Sequence, residues 1–317
     1  MTTISESSRV ASAHSNRVQY YAENLVRRQA RCRYLGLADA IGGEPLVRLE
    51  GYGDGLTTVS VRESQLAWGH LCGVLGFRLA QFLQTGLMDP ELVYRRELVH
   101  EPLVPATGPE TIHTVTLTES GQIVGYIALV ASPDPEPLAL EDPARRPFPA
   151  EVAHQVELLS RYAAPGRTSH NAYEVKRFVR DHSLARGMQR DRVPWHLILA
   201  IGKVGLQTPE IELVLGDSSE RGALRHLRLV GFELDVVEGT KPALPRSELM
   251  WPSYELPAHR LAKPFVGAVP SDLADYMEAI ESGLVELDAE ASQREAVARL
   301  VELHRSRGTL ERLAMAV

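Results

Sequence analysis

Residues 171–237 alternate between strand-like and helix-like segments, and this alternation constrains the fold of the chain more than any other feature. The predicted elements are a strand over Asn171–Arg180, a helix with Pro194 in its first turn, a strand over Glu210–Leu215, a helix over Ser219–Val230 ended by Gly231, and a strand over Phe232–Val237. Pro suits the first turn of a helix, and Gly suits the position just past its end. Three strands and two helices within about 65 residues indicate an α/β core.

Two further strands precede this core and form a predicted hairpin. Thr111–Leu117 and Gln122–Val130 are β-rich runs that flank Glu119, Ser120 and Gly121, a sequence typical of a tight turn. Six prolines over residues 132–150 then exclude a helix or a central strand, so we expect a loop that covers a site, followed by a helix over Glu151–Tyr162.

A predicted strand over Thr57–Val61 leads into a helical pattern that extends to Thr85. Leu71, Leu75, Arg78 and Phe82 share one face of that helix. An arginine in an apolar stripe either snorkels at the edge of the core or faces a cleft, and the sequence leaves both interpretations open.

The two ends of the chain look like additions to the core. Residues 1–16 are polar and are expected to be disordered, and a helical pattern follows over Arg17–Leu35. Beyond Gly239, prolines recur up to Pro264, and two helices are predicted, one capped by Ser271 and one over about Asp288–Arg307. We therefore expect an extension over 1–56, an α/β core over 57–240, and a linker with C-terminal helices over 241–317.

Composition excludes several classes of function. The net charge is −7 and no run is dense in Lys or Arg, which argues against a nucleic-acid partner. Only Cys32 and Cys72 occur, without metal-ligand spacing, so no metal site is expected. The polar N-terminus and the lack of a run of about 20 apolar residues predict a cytoplasmic protein with no membrane partner.

Two segments resemble the GNAT acyltransferase superfamily. They are Glu220–Gly239, in which a helix ends in Gly-Phe before a strand, and Gly121–Val130, which is similar to the central strands of those enzymes. The resemblance implies an α/β fold: a GNAT-like mixed central sheet flanked by helices, here with an N-terminal helical extension and a C-terminal α-helical tail.

A narrower resemblance is to the acyl-homoserine-lactone-synthase-like branch, which includes N-acyl amino acid synthase-like proteins. Glu174-Val175-Lys176-Arg177-Phe178 matches the Glu-x-x-Arg-Phe strand of that branch, and Arg78 and Phe82 keep the Arg-x-x-x-Phe spacing of its N-terminal helix. This sequence departs from the patterns of the two families in two features. The acidic pair and hairpin arginine of autoinducer synthases are missing, which argues against S-adenosylmethionine as acceptor. The pyrophosphate motif of GNAT enzymes is degraded to residues 184–189.

This resemblance implies an N-acyltransferase with a thioester donor, either acyl-CoA or the phosphopantetheine of an acyl carrier protein, and a small amine as acceptor. No tightly bound cofactor is expected. The resemblance assigns Glu174 as general base, and places Arg78, Phe82, His170, Tyr173, Arg177 and Phe178 at the substrates. Arg186, Gly187 and Arg190 are the candidates for the donor phosphates.

Other interpretations of these residues stay open. Glu174 also fits a structural ion pair with Lys176, Arg177 or Arg180, and the two arginines of the loop also fit ordinary surface charge. Many GNAT enzymes carry a tyrosine acid where this chain has Leu227. The neighbouring His226 is expected to point elsewhere on the helix, and a structural or surface role is favoured for it over the role of catalytic acid, so the general acid is not identified.

Two alternative functions remain: an acyl-homoserine-lactone-type autoinducer synthase, and a non-catalytic GNAT-fold protein that binds a ligand. A serine hydrolase fits poorly because no Gly-x-Ser-x-Gly elbow occurs. The C-terminal helices either cover the sheet or form the contact of a homodimer.

Overall fold

A computed structural model describes residues 6–102, 108–219, 222–255, 262–285 and 289–309, with side chains from residue 14 onward and, in the last range, from residue 294. The helices are α1 (Glu6–Arg31), α2 (Trp68–Thr85), α3 (Pro90–Arg95), α4 (Pro149–His154), α5 (Met188–Gln207), α6 (Ala223–Leu229), α7 (Trp251–Glu255), α8 (Leu273–Leu284) and α9 (Ala289–Ser306). The strands are β1 (Val47–Leu49), β2 (Leu56–Arg62), β3 (Ile112–Thr118), β4 (Ile123–Val130), β5 (Ala172–Arg180), β6 (Leu213–Ser218), β7 (Asp235–Val236) and β8 (Lys263–Ala268).

The eight strands form one mixed sheet in the order β1-β2-β3-β4-β5-β6-β8-β7. All neighbouring pairs are antiparallel except β5 and β6, which are parallel. Helices α5, α8 and α9 pack on one face of the sheet, and α1, α2 and α4 pack on the other. The expected α/β sheet flanked by helices, with helices added at both ends, is therefore confirmed.

The hairpin between β3 and β4 forms at the predicted turn. Gly121 has φ 75°, and a Cβ atom there would lie 2.8 Å from the backbone nitrogen of Leu35. Tyr34 N also donates a hydrogen bond to Gly121 O at 2.7 Å. Only glycine combines this left-handed backbone with such a close approach of the preceding segment.

Strand β5 lies where the sequence predicts it, but helix α5 begins at Met188, so Pro194 is inside the helix and not in its first turn. The ring of Pro194 removes the amide that would bond to Arg190 O. That carbonyl instead accepts a hydrogen bond from Arg180 Nη1 at 3.2 Å, so a side chain from β5 replaces the missing backbone partner.

Helix α4 is much shorter than the predicted helix over Glu151–Tyr162. It ends at His154 because Gln155 adopts a left-handed backbone with φ 54°. The carboxylate of Glu157 then accepts hydrogen bonds from the backbone nitrogens of Leu159 and Ser160, each at 2.8 Å, and so stabilises a turn in place of a helix.

The strands after α5 also differ from the predictions. Strand β6 begins at Leu213 and not at Glu210, and only Asp235 and Val236 of the predicted Phe232–Val237 strand pair, because Phe232 is buried in the core beside α5 and α8. Strand β8 lies within the segment predicted to be a linker. Its Pro264 is tolerated because β7 pairs only with Phe265 and Val266.

Helix α6 ends before Gly231 as predicted. Gly231 has φ 88°, and a Cβ atom there would lie 2.4 Å from the ring of Tyr276. Helix α1 begins at Glu6, within the segment that the sequence predicts to be disordered, whereas residues 1–5 lie outside the described residues. Glu220 and Arg221 of the predicted helix before Gly231, and Asp288 of the predicted last helix, also lie outside the described residues. None of the described helices is both long enough and apolar enough to cross a membrane.

Candidate functional site

A gap opens in the sheet where its two parallel strands separate. Strands β5 and β6 pair only from Ala172 with Leu213 to Glu174 with Leu215. Beyond these residues β5 continues to Arg180 and β6 to Ser218 without pairing to each other. The backbone edges of both strands therefore face an opening in the middle of the sheet.

A β-bulge lies on the β5 side of this gap. Tyr126 pairs with Val179 and Ala128 with Lys176, so β5 has one extra residue and both Arg177 and Phe178 stand opposite Ile127. Arg177 takes up the irregularity with a left-handed backbone, φ 65°. Because a bulge leaves backbone groups outside the regular ladder, amides near Arg177 and Phe178 are free of the usual cross-strand pairing.

The gap opens into a cleft of about 520 Å³. Its walls are the C-terminal end of α2, the second half of β5, the end of β6, the start of α6, and α7. Three of the predicted substrate residues, Phe82, Arg177 and Phe178, line this cleft. The Arg177 guanidinium lies over the Phe82 ring, with 5.2 Å between its carbon and the ring centroid, so the structure brings these residues together.

On the opposite face of the sheet lies an apolar pocket between α5, α6 and strands β4 to β6. Its lining is aliphatic or aromatic except for one histidine and two helical glycines, Gly202 and Gly205. Four residues line both the pocket and the cleft: Val175, Phe178, Ala223 and His226. The cleft and the apolar pocket therefore adjoin at these four residues.

Glu174 is fully buried at the point where the strands separate, beneath the start of α4. Lys176 Nζ lies 2.9 Å from its Oε1 atom, and Ala150 N donates a long hydrogen bond of 3.4 Å to Oε2. Burial raises the pKa of Glu174 above its ordinary value, and the charge of Asp217 adds to this, although Lys176 opposes it. The ion pair with Lys176 that the sequence left open is present.

A second carboxylate, Asp217 at the end of β6, faces the cleft. Its Oδ2 atom accepts a hydrogen bond from the Tyr254 hydroxyl and lies 3.3 Å from His154 Nε2. His154 is in turn held by Thr240, with 2.7 Å between Nδ1 and Oγ1. Both contacts use Oδ2, and within the described residues no hydrogen bond engages Oδ1.

The pKa values of the two carboxyl groups move in opposite directions. Burial alone would raise the pKa of Asp217, but the hydrogen bond from His154, the charge of Lys176 and the Tyr254 hydroxyl outweigh it and leave this pKa below its ordinary value. Asp217 is therefore a persistent anion, whereas Glu174 holds a proton more readily. Such opposed shifts are typical of paired groups with different chemical roles.

Arg78 lies outside the residues that line the cleft. It donates to the carboxylate of Glu101 and, at 3.3 Å, to the hydroxyl of Tyr126 on β4, and it stacks over that ring. His113 Nδ1 also contacts this hydroxyl at 2.8 Å. Arg78 thus belongs to a buried polar network between α2 and the sheet, next to the cleft residue Phe82 on its own helix.

Two other predicted residues lie at the N-terminal end of β5, away from the cleft lining. His170 Nε2 contacts Asp134 O at 3.0 Å, and Tyr173 is buried in the core beside α5. The predicted phosphate residues Arg186, Gly187 and Arg190 lie at the start of α5, and Gly187 is its N-cap. Arg190 reaches back to Leu184 O at 3.4 Å, and the cleft extends to Arg180 and Pro194 nearby.

Four polar residues of the site were missed by the sequence reasoning: His154, Asp217, His226 and Tyr254. Asp217 lies next to Ser218, whose Oγ accepts a hydrogen bond from Ala223 N at the start of α6, at 2.7 Å. His226 was expected to point elsewhere and lines both cavities. The signal for Asp217 was its position two residues past Leu215, the last residue of β6 that pairs with the parallel strand β5, where such strands place functional groups.

Known proteins resemble this chain in structure more than in sequence. No protein-family model matches it, and no curated protein matches its sequence. The acyl-homoserine-lactone synthase LasI is 13% identical with a TM-score of 0.39, over 68% of this chain and 90% of LasI. The CoA-dependent acyl-homoserine lactone synthase BjaI, solved with MTA, is 14% identical with a TM-score of 0.42, over 74% of this chain and 96% of BjaI. MesI, another CoA-dependent acyl-homoserine lactone synthase, is 15% identical with a TM-score of 0.30, over 67% of this chain and 81% of MesI.

Proposed function

We propose that this chain is an N-acyltransferase that moves an acyl group from a CoA or carrier-protein thioester to the amine of a small molecule. The observation that carries the proposal is that a polar cleft and an apolar pocket share four lining residues where β5 and β6 separate. A thioester has the matching chemistry, since it joins an apolar chain to a reactive carbonyl and a long polar arm.

In this arrangement the acyl chain occupies the apolar pocket and the thioester carbonyl lies at the gap. The bulge at Arg177 and Phe178 then offers backbone amides to the carbonyl oxygen, where negative charge develops during attack. The pantetheine arm runs along the cleft toward the start of α5. There Arg186, Gly187 and Arg190 are proposed to meet the phosphates of the donor, as backbone amides and guanidinium groups at a helix N-terminus do.

The acceptor amine is proposed to enter from the side of Asp217. An amine is cationic in water, and Asp217 lines the cleft as an anion whose Oδ1 accepts no hydrogen bond from the described residues. Glu174, whose pKa is raised by burial, is the better proton acceptor and removes the first proton from the ammonium, through water or Asp217. Arg177 and Phe82 pack beside this position.

Measurement of acyl transfer by intact mass, together with release of free thiol, tests the proposal. The purified protein is combined with acyl-CoA, acyl-carrier-protein and acyl-N-acetylcysteamine thioesters, each with pooled small amines and amino acids. We expect amine-dependent thiol release and a new amide mass. Faster turnover of the CoA or carrier-protein donor than of the phosphate-free donor would support the placement of the phosphates at α5.

Thiol release no faster than in a sample without protein, for every donor and amine, would contradict the proposal. That result would identify a ligand-binding protein without activity. Formation of a lactone from S-adenosylmethionine, with release of methylthioadenosine, would instead identify the autoinducer-synthase alternative.

A further inference from the structure

His226 stands at the junction of the two cavities. It lies on the outer half of the short helix α6 and lines both the cleft and the apolar pocket. Among the described residues that line the pocket, it is the only one whose side chain carries nitrogen or oxygen. An ionisable group in this apolar wall is without structural necessity, since the neighbouring Leu227 shows that a hydrocarbon suffices there.

The hydrogen bonding of His226 fixes which ring nitrogen carries the proton. Nδ1 lies 3.0 Å from Gly222 O, and a carbonyl oxygen only accepts hydrogen bonds. Nδ1 therefore bears the hydrogen, and in the neutral ring Nε2 keeps its lone pair. Burial lowers the pKa of His226, and Arg225 lowers it further against the Gly222 hydrogen bond, so the ring is neutral near pH 7 and Nε2 is basic.

The ring faces the strand that carries the bulge. The centroids of His226 and Phe178 are 5.3 Å apart, and Phe178 is one of the two residues that the bulge displaces. A carbonyl held at the bulge therefore lies beside the histidine, and the acyl chain behind it lies in the pocket that His226 also borders. The position expected for a tyrosine acid, Leu227, lies one residue farther along the same helix.

We infer that His226 carries a proton from the attacking nitrogen to the departing sulfur. This inference rests on the proposed acyl transfer and adds the group that the sequence left unassigned. The ammonium first loses one proton to Glu174, and that proton leaves to solvent. The amine then forms the C–N bond, Nε2 of His226 takes the second proton from nitrogen, and the imidazolium returns it to sulfur as the C–S bond breaks. The products are a neutral amide and a free thiol.

Dependence on the leaving thiol tests this role. An alkyl thiolate is basic and gains from protonation as it leaves, whereas an aromatic thiolate leaves readily without a proton. Removal of a general acid–base group slows turnover by about 100-fold or more. We therefore expect His226→Gln to lower kcat by about 100-fold with an alkyl thioester. With the matching aryl thioester the loss should be smaller by about tenfold or more, because the acid is dispensable there.

His14→Gln is the matched control, because His14 contacts Glu91 at the surface, 2.9 Å from Nε2 to Oε1, and lines neither cavity. It should keep the wild-type rate with both esters. Thermal unfolding and thioester binding of His226→Gln establish that it folds. Should it not fold, His226→Ala with added imidazole serves instead, and recovery of turnover with imidazole is expected.

The outcomes separate the two proposals. Absence of thiol release by the wild-type protein with every donor removes the proposed function itself. If the wild type turns over, acyl transfer stands. An equal loss of activity in His226→Gln with alkyl and aryl thioesters, or no loss at all, then overturns the role of His226. The absence of imidazole rescue in a folded His226→Ala protein would also overturn it.

Discussion

Gly205 offers a direct measurement of where the acyl chain lies. It is in the last turns of α5 and lines the apolar pocket without lining the cleft, so it is removed from the junction of the two cavities. A Cβ atom at this position would lie 3.4 Å from Leu273 Cδ2, an ordinary contact. Side chains on a helix lean toward its N-terminus, here toward Ile201 and Gly202, which also line the pocket. Gly205→Leu should therefore place its side chain within the pocket.

The size of the effect follows from the carbon atoms that are displaced. Leucine adds four carbons to glycine, and each methylene excluded from an apolar site loses about 0.8 kcal/mol of binding. The longest acyl chains should lose about 3 kcal/mol, which is about 100-fold in kcat/KM. Acetyl and butyryl donors, which do not reach Gly205, should keep the wild-type value. Gly205→Ala displaces one carbon and should cost the longest chains about fourfold.

A series of acyl thioesters of increasing length, assayed by thiol release, gives kcat/KM for each protein. The preferred chain should shorten by about four carbons in Gly205→Leu and by about one in Gly205→Ala. Neither variant should unfold at lower temperature, since leaving glycine improves helix propensity by about 0.5–1 kcal/mol. An unchanged length profile would refute the location of the chain, and an equal loss at all lengths would show a general defect in place of a filled pocket.

Three further predictions concern the residues at the gap. Glu174→Gln should lower kcat while thioester binding is retained. Because the pKa of Glu174 is raised in the folded protein, the stability that its carboxyl group contributes is lost as pH rises. The melting temperature of Glu174→Gln relative to the wild type should therefore increase between pH 5 and pH 8. Asp217→Asn should raise KM for the amine by about tenfold or more while KM for the donor is unchanged, which steady-state kinetics with each substrate varied will detect. Arg177→Gly should be more stable in urea than Arg177→Ala by about 1 kcal/mol, the reverse of the usual order in a strand, because the backbone at this position is left-handed. The same difference in melting temperature at both pH values would contradict the prediction for Glu174. An equal change in the KM for amine and for donor would contradict the one for Asp217, and a more stable Arg177→Ala variant would contradict the one for Arg177.

The parts of the fold that follow from local pattern were predictable. The hairpin around Gly121, strand β5 and the end of α6 at Gly231 each depend on residues close in sequence, and all three lie where the sequence predicts them. Strand β8 was missed because Pro264 argues against a central strand, and this proline is tolerated only through the shortness of β7. Helix α5 was placed too late because the partner that makes Pro194 acceptable, Arg180, belongs to a preceding strand.

The same limit applies to the site. The strand motif around Glu174 assigned Arg177 and Phe178 to the substrates, and the Arg-x-x-x-Phe spacing assigned Phe82, and these four residues do lie around the gap. It gave no indication of the network formed by Asp217, which draws its partners from α4 and α7 at separations of 63 and 37 residues. Each of those partners is unremarkable in its own segment, because a polar residue acquires its role only from the fold that brings the segments together.

The geometry of the sheet gives the proposed reaction a direction. Glu174, Leu215 and Asp217 point to the face covered by α4, since register partners in a parallel pair share a face and residues two apart return to it. Val175 and Val214 point to the other face, into the apolar pocket. In the proposed reaction the charged amine stays on the face that carries Glu174 and Asp217, and the acyl chain stays on the apolar face. The two reactants then meet at the gap beyond Glu174, where the bulge supplies backbone amides and His226 supplies the one basic nitrogen among the described residues that line the pocket. In the proposed reaction a proton-transferring group therefore serves each side of the gap: Glu174 accepts a proton from the arriving amine, and His226 donates a proton to the departing sulfur.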